Sequence, residues 1–247
     1  MIGIIGGSGL ASLVGLERVR RRVERTAWGD PSSALSIGEL HGQPIVFLAR
    51  HGYGHTIAPH DINYRANVWA LKQAGVDRVI SVATVGAIRE DIAVGGLVVP
   101  DQLIDYTSGR AGTYYAGPDQ PVVHVDFTHP YDASLRQLLL TAAGALGEAV
   151  RDGGCYGCTN GPRLETAAEI RRLARDGCDL VGMTGMPEAV LAREAELAYA
   201  ALAIVVNPAP GTREAADGVS MTAVAAVLDE VRARVIAVLA EAVRRAS

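Results

Sequence analysis

Five short, β-rich apolar runs punctuate this chain, and each ends beside residue types able to hold a ligand. "MIGII" leads into "GGSG", "PIVFLA" at 44–49 into "RHGYGH", "RVISVAT" at 78–84 into Val85 and Gly86, "CDLVGM" at 178–183 into Thr184, and "YAALAIVV" at 199–206 into Asn207. Runs of this length with few polar interruptions are those of central strands buried on both faces. The stretches between them read as helices. Asp61 is placed to cap one that carries Ile62, Ala66, Trp69 and Ala70 and stops at Gly75, and residues 165–176 form another that stops at Gly177. Pro187 suits the first turn of "PEAVLAREAELA", where Glu188 complements the helix dipole. Ser220 caps a final helix to about Ala246, with Val224, Val227, Leu228, Val231, Val235 and Leu239 on its apolar face.

Strands alternating with helices predict an α/β fold with a mainly parallel or mixed central sheet flanked by helices. A chain of 247 residues, 49% hydrophobic and 20% charged, suits one domain spanning 1–247. In such sheets ligands collect beyond the carboxyl ends of the strands. Gly6 to Gly9, Arg50, His51, Thr84, Met183, Thr184 and Asn207 are therefore expected in one place.

Composition removes several classes. A net charge of −4 offers no basic footprint for nucleic acid. The one basic cluster, "RVRRRVER" at 18–25, is interrupted by Val19, Val23 and Glu24 and reads as a solvated edge strand. The longest apolar run, Leu197 to Val206, is about half of the ~20 residues a membrane-spanning helix needs, so no membrane partner is expected. "MIGIIGGSGL" has no basic residue ahead of its apolar stretch, which argues against a secretory signal and for a cytoplasmic location. Three cysteines make no disulfide framework. Cys155 and Cys158 form a C-x-x-C with no second pair or nearby His, so small residues in a strand is a plainer reading than zinc or a redox couple.

The strand ends together suit an anion. "GGSG" supplies backbone N–H groups and the Ser8 hydroxyl, Arg50 a planar fork and Thr184 a second hydroxyl, which makes a cradle of phosphate size. A dinucleotide fingerprint starting at Gly7 would need its third glycine where Ser12 stands. His51, His55 and His60 lie in a loop with no helix to set their faces, so no metal site is expected, and His51 beside Arg50 reads as a group for phosphate or ribose.

The stretch "RHGYGHTIAPHDINYRANVWALKQAGV", with "GIIGGSGL", "NGPRLETAAE" and "VGMTGMPEAVLAREA", resembles the trimeric purine nucleoside phosphorylases, and within them the methylthioadenosine phosphorylase branch. The resemblance runs over nearly the whole chain and extends to "WGDPSSALSIGEL". It implies phosphate-dependent cleavage of a purine nucleoside with inversion, a homotrimer, and no cofactor beyond inorganic phosphate as co-substrate. Carried over by position, it implies phosphate contacts at Ser8, Arg50, His51, Thr184 and the backbone of Thr84, with Met183 under the ribose. One position departs from the family: Ala83 stands where relatives place a threonine in the phosphate site.

Specificity reads differently at the two ends of the nucleoside. The methylthioadenosine branch carries two aspartates where this chain has Asn207 and Ala209. The Asn207 carboxamide can accept from a protonated N7 and donate to O6, which suits a 6-oxopurine. Glu165 matches the glutamate that contacts the base in 6-oxopurine enzymes, where it accepts from N1–H; a helix-dipole charge is the plainer alternative. At the 5′ end Met221, flanked by Val219 and Val224, stands where 6-oxopurine relatives place a histidine, and an apolar lining favours a methylthio group over a hydroxyl. Ordinary core packing is the competing account of these three. His124 aligns with a residue that reaches into a neighbouring subunit's 5′ pocket. The combination points to S-methyl-5′-thioinosine as substrate. A general inosine/guanosine phosphorylase, a methylthioadenosine phosphorylase and a non-catalytic nucleoside-binding protein are the alternatives.

Overall fold

The computed structural model describes residues 1–246. β1 (Ile2–Gly6), β2 (Glu17–Arg22), β3 (Leu35–Leu40) and β4 (Gln43–Ala49) precede the first helix, α1 (Tyr64–Gln73). β5 (Arg78–Ala87), β6 (Leu97–Val99) and β7 (Gln102–Asp105) lead to α2 (Ala133–Ala145), and β8 (Val150–Asp152) and β9 (Cys155–Cys158) to α3 (Ala167–Arg175). β10 (Leu180–Gly182), α4 (Glu188–Glu194), β11 (Ala198–Pro208) and α5 (Met221–Arg245) follow.

The strands form one mixed sheet in the order β2-β3-β4-β1-β5-β10-β9-β7, with β11 on the other edge of β5 and continuing through β6 to β8. β1 is parallel to both β4 and β5, and β11 runs parallel to β5 along its whole length. That pairing carries β5 beyond Thr84 to Ala87 and β11 beyond Val206 to Pro208, further than the apolar runs suggest. Apolar side chains pack on both faces. One core gathers Ile5, Val68, Leu71, Val79, Leu191 and Val205 under α1 and α4, the other Ile4, Ile80, Leu139, Leu202, Val235 and Leu239 under α2 and α5. β2 is the exposed edge strand that the arginine cluster predicts. Among the described residues no helix is long and apolar enough to cross a membrane.

Helix starts shift for tertiary reasons. Asn63, not Asp61, caps α1: its Oδ1 accepts from the Ala66 N–H while its Nδ2 donates to Trp28 O at 2.7 Å, so a long-range bond selects the cap. Thr166 caps α3 in a reciprocal box with Glu169, which leaves Glu165 ahead of the helix. Pro187 is the cap of α4 rather than part of its first turn, and Glu188 is fully buried instead of facing solvent at a helix end. Ser220 caps α5 as its sequence predicts.

Candidate active site

A gap in strand pairing creates the site. β1 covers one edge of β5 from Arg78 to Ser81, and β10, antiparallel, covers the same edge at Gly86 and Ala87. Between them Val82 to Val85 lack a strand partner on that side, and a cavity of about 450 Å³ opens there. It is lined by Ser8, Arg50, His51, Thr84, Thr184 and Met183, and further along by Glu165, Asn207, Met221 and Val224. Its volume suits a nucleoside-sized ligand. Ten of the positions singled out from the sequence thus meet here; Ala209, Val219 and His124 do not line the cavity.

Arg50 is fully buried and most of its fork is already committed. Nε donates to Glu188 Oε2 at 2.8 Å, Nη2 to Glu188 Oε1 at 3.0 Å and to Ser81 Oγ at 2.6 Å, and Nη1 to Val82 O at 2.9 Å. One Nη1 proton remains for a ligand. The cation so held fills the unpaired edge of β5, and Gly7 is needed above it: a Cβ there would lie 2.7 Å from Nη1 and 2.6 Å from Val82 O. Ser81 and Tyr199 both donate to Glu188 Oε1, at 2.6 and 2.8 Å. Burial works to raise the Glu188 carboxyl, but the Arg50 charge and these donors outweigh it and hold it below the usual carboxylate range.

His51 next to it is neutral. Burial, reinforced by the Arg50 charge, pushes its imidazole down to about 4. Nδ1 donates to Ile57 O at 2.8 Å, which leaves Nε2 as an acceptor. The His55 ring lies against His51 with its plane tilted by 41° and the centroids 4.3 Å apart, and its Nε2 lies 3.4 Å from Ser8 Oγ. His55 lines the cavity as well, a role the sequence reading passed over. Its spacing of four from His51 was the signal; positive-φ glycines at 52 and 54 turn the loop back so that the rings meet.

At the opposite end Glu165 and Asn207 approach from different elements. Glu165 is 8% exposed and accepts at Oε1 from the Thr159 hydroxyl at 2.6 Å. Its position outside α3 and this bond replace the helix-dipole account. Asn207 lies at a bulge in β11, where the register against β5 slips between Val205 and Asn207. The slip lets consecutive residues, Val206 and Asn207, both face the cavity, which a regular strand forbids. Asn207 Nδ2 donates to Pro208 O at 2.7 Å, leaving its second proton and Oδ1 unused. Ala209 is buried in a small cluster with Ile88, Ile170 and Val181 and is not among the residues that line the cavity. Its backbone N–H bonds Ala87 O instead.

Met221 opens α5 and is 57% exposed at the cavity, so core packing does not account for it. Val224, one turn on, is half-buried against the same space. Val219 precedes the cap and sits outside the cavity, because the side chains reach inward only once the helix begins at Met221. His124 is exposed on the long connection between β7 and α2, away from this chain's own cavity.

Comparison with known proteins places this geometry. Residues 1–244 match the family model described as the Phosphorylase superfamily. The chain is 54% identical over 208 residues to a probable S-methyl-5′-thioinosine phosphorylase of Pseudomonas syringae pv. tomato, covering 84% of this chain and 85% of that one. It is 46% identical over 215 residues to the 6-oxopurine nucleoside phosphorylase of Pyrococcus furiosus, covering 85% and 80%. Methylthioadenosine phosphorylase from Schistosoma mansoni in complex with adenine superposes with a TM-score of 0.93 at 35% identity, over 98% of this chain and 90% of that one.

Proposed function

This chain belongs to the phosphorylase superfamily, and on that premise we propose that it cleaves S-methyl-5′-thioinosine with inorganic phosphate, giving hypoxanthine and 5-methylthioribose 1-phosphate. The observation that carries the reading is one cavity with a carboxylate and a carboxamide, Glu165 and Asn207, together with an apolar rim of Met221 and Val224.

In this reading Ser8, Thr84, Thr184 and the last Nη1 proton of Arg50 hold phosphate, and His51 Nε2 accepts its P–OH. Backbone alternation aims the Thr84 N–H at the same unpaired edge as Val82 O. Met183 lies under the ribose. The C1′–N9 bond breaks as a phosphate oxygen bonds C1′ from the opposite face. The base leaves with a negative charge and gains the proton that phosphate gives up; Asn207 Oδ1 accepts from N7–H and its free Nδ2 proton meets O6. Glu165 Oε2 accepts from N1–H, a proton that adenine lacks. The chemistry as proposed uses no metal and no organic cofactor. The exposed face of Met221 and the exposed His124 suit a homotrimer in which His124 closes the 5′ end of a neighbouring copy's cavity, and the proposed location of that assembly is the cytoplasm.

A general 6-oxopurine nucleoside phosphorylase is the second reading, favoured by His55, which gives the cavity a polar group able to meet a 5′-hydroxyl. The test is phosphate-dependent release of base from methylthioinosine, inosine, methylthioadenosine and adenosine, compared as kcat/KM. A lead of about tenfold or more for methylthioinosine, ~1.4 kcal/mol of transition-state preference, supports the first reading. Equal rates on inosine support the second, and a lead for methylthioadenosine overturns both.

A further inference from the structure

We propose that Thr159, which does not line the cavity, is a positioning residue that sets the base preference by holding Glu165. The inference rests on the base reading given above.

The stretch before Glu165 is held by side chains, Asn160 by Ser108 and Arg110, and Arg163 by Glu169, but none of these bonds reaches the Glu165 carboxylate. Residues 160–165 make no backbone–backbone hydrogen bond among the described residues, and Glu165 precedes the cap of α3, so the helix does not orient it. Thr159, by contrast, is anchored on both sides. Its N–H continues the β9–β10 pairing by donating to Gly182 O at 2.8 Å, and Arg110 Nη2 donates to its carbonyl at 3.4 Å and to Asn160 O at 3.0 Å. The hydroxyl has one proton and two acceptors in reach, Glu165 Oε1 at 2.6 Å and Gly182 O at 3.4 Å. The shorter contact is to a carboxylate and takes the proton.

This bond has two consequences for the base. It orients the carboxyl group, so that Oε2, which has no hydrogen-bond partner among the described residues, remains for the cavity. It also occupies one carboxylate oxygen with a donor, so that the other presents only acceptor lone pairs to the base. An acceptor-only oxygen pairs with the N1–H of a 6-oxopurine and repels the N1 lone pair of a 6-aminopurine. Without the hydroxyl, Glu165 is free to turn, and the discrimination weakens.

The experiment compares kcat/KM for methylthioinosine and methylthioadenosine at saturating phosphate in wild type, Thr159→Val, Thr159→Ser and Glu165→Gln. Thr159→Val is expected to lose on the order of tenfold on methylthioinosine, mainly in KM, with methylthioadenosine changed less than about twofold. Thr159→Ser, which keeps the hydroxyl, is expected to stay within about threefold of wild type on both. Equal losses on the two substrates, or no loss on methylthioinosine, overturn the proposal. If Glu165→Gln collapses the ratio and Thr159→Val does not, only the positioning role fails; if Glu165→Gln leaves the ratio unchanged, the base reading itself fails. Thr159→Ala, which places no extra methyl against Gly182, repeats the test if Thr159→Val does not fold.

Discussion

The two ends of the cavity are built in opposite ways. At the phosphate end a buried cation, Arg50, is locked by four donor contacts to Glu188, Ser81 and Val82 O, and Tyr199 braces the same carboxylate. At the end proposed for the 5′ group Met221 stands at the start of a helix with more than half its surface exposed. The first arrangement is preorganised within one chain and so is bound up with folding stability. The second contributes shape and apolar surface while stabilising almost nothing, so it can change without harm to the fold. In the proposed reading, phosphate binding and choice of 5′ group are thereby separated in space.

The sharpest way to break this contrast is Glu188→Ala. Removing one partner of a buried pair leaves Arg50 uncompensated, and a loss of about 3–5 kcal/mol in urea unfolding is expected together with loss of phosphorolysis. A loss below about 1 kcal/mol would mean that the phosphate end is not structurally locked. Asn207→Asp is expected to move the ratio of kcat/KM between methylthioadenosine and methylthioinosine by about tenfold or more, ~1.4 kcal/mol, because a carboxylate offers no donor to O6. The companion change at position 209 is left out: Ala209 does not line the cavity, and a carboxylate there would be buried among apolar groups. Met221→Ser is expected to lower kcat/KM for methylthioinosine about fivefold, roughly 1 kcal/mol of apolar contact, with inosine little affected and the unfolding midpoint unchanged. A matching loss on inosine would return Met221 to a packing role.

The smallest effect concerns pH. Because the folded imidazole of His51 is pushed to about 4, below its ordinary 6.5, the unfolded chain binds the extra proton first. Stability is therefore complete above about 6.5 and declines as pH falls toward 4. His51→Asn is expected to show a shallower decline over that window in denaturant titrations. An unchanged slope would mean that burial does not hold this ring neutral.

Much of this was legible because it is local. Apolar runs of strand length, the Ser220 cap, the glycine stops and the arginine edge strand follow from period and capping chemistry, which neighbours in sequence set. α2 and the short strands β6 and β8 were harder. These strands of three residues owe their pairing to the sheet around them and carry no period of their own. The helix cap at Asn63 and the bulge at Asn207 depend on Trp28 and on the β5 register, neither of them a sequence neighbour.

By itself the sequence determined which residue types end the strands, and so which chemistry could gather at the carboxyl edge of an α/β sheet. It also fixed the choices of Asn207, Glu165 and Met221 over other residues at those positions. Only the tertiary structure decided who holds whom. Glu188, read as a helix-end charge, is the counterion of Arg50, 138 positions earlier in the chain. Thr159 rather than α3 holds Glu165, and His55 joins His51 at the cavity wall. Periodicity records which face of an element is buried, whereas a hydrogen-bond partner is set by which strand ends the fold brings side by side.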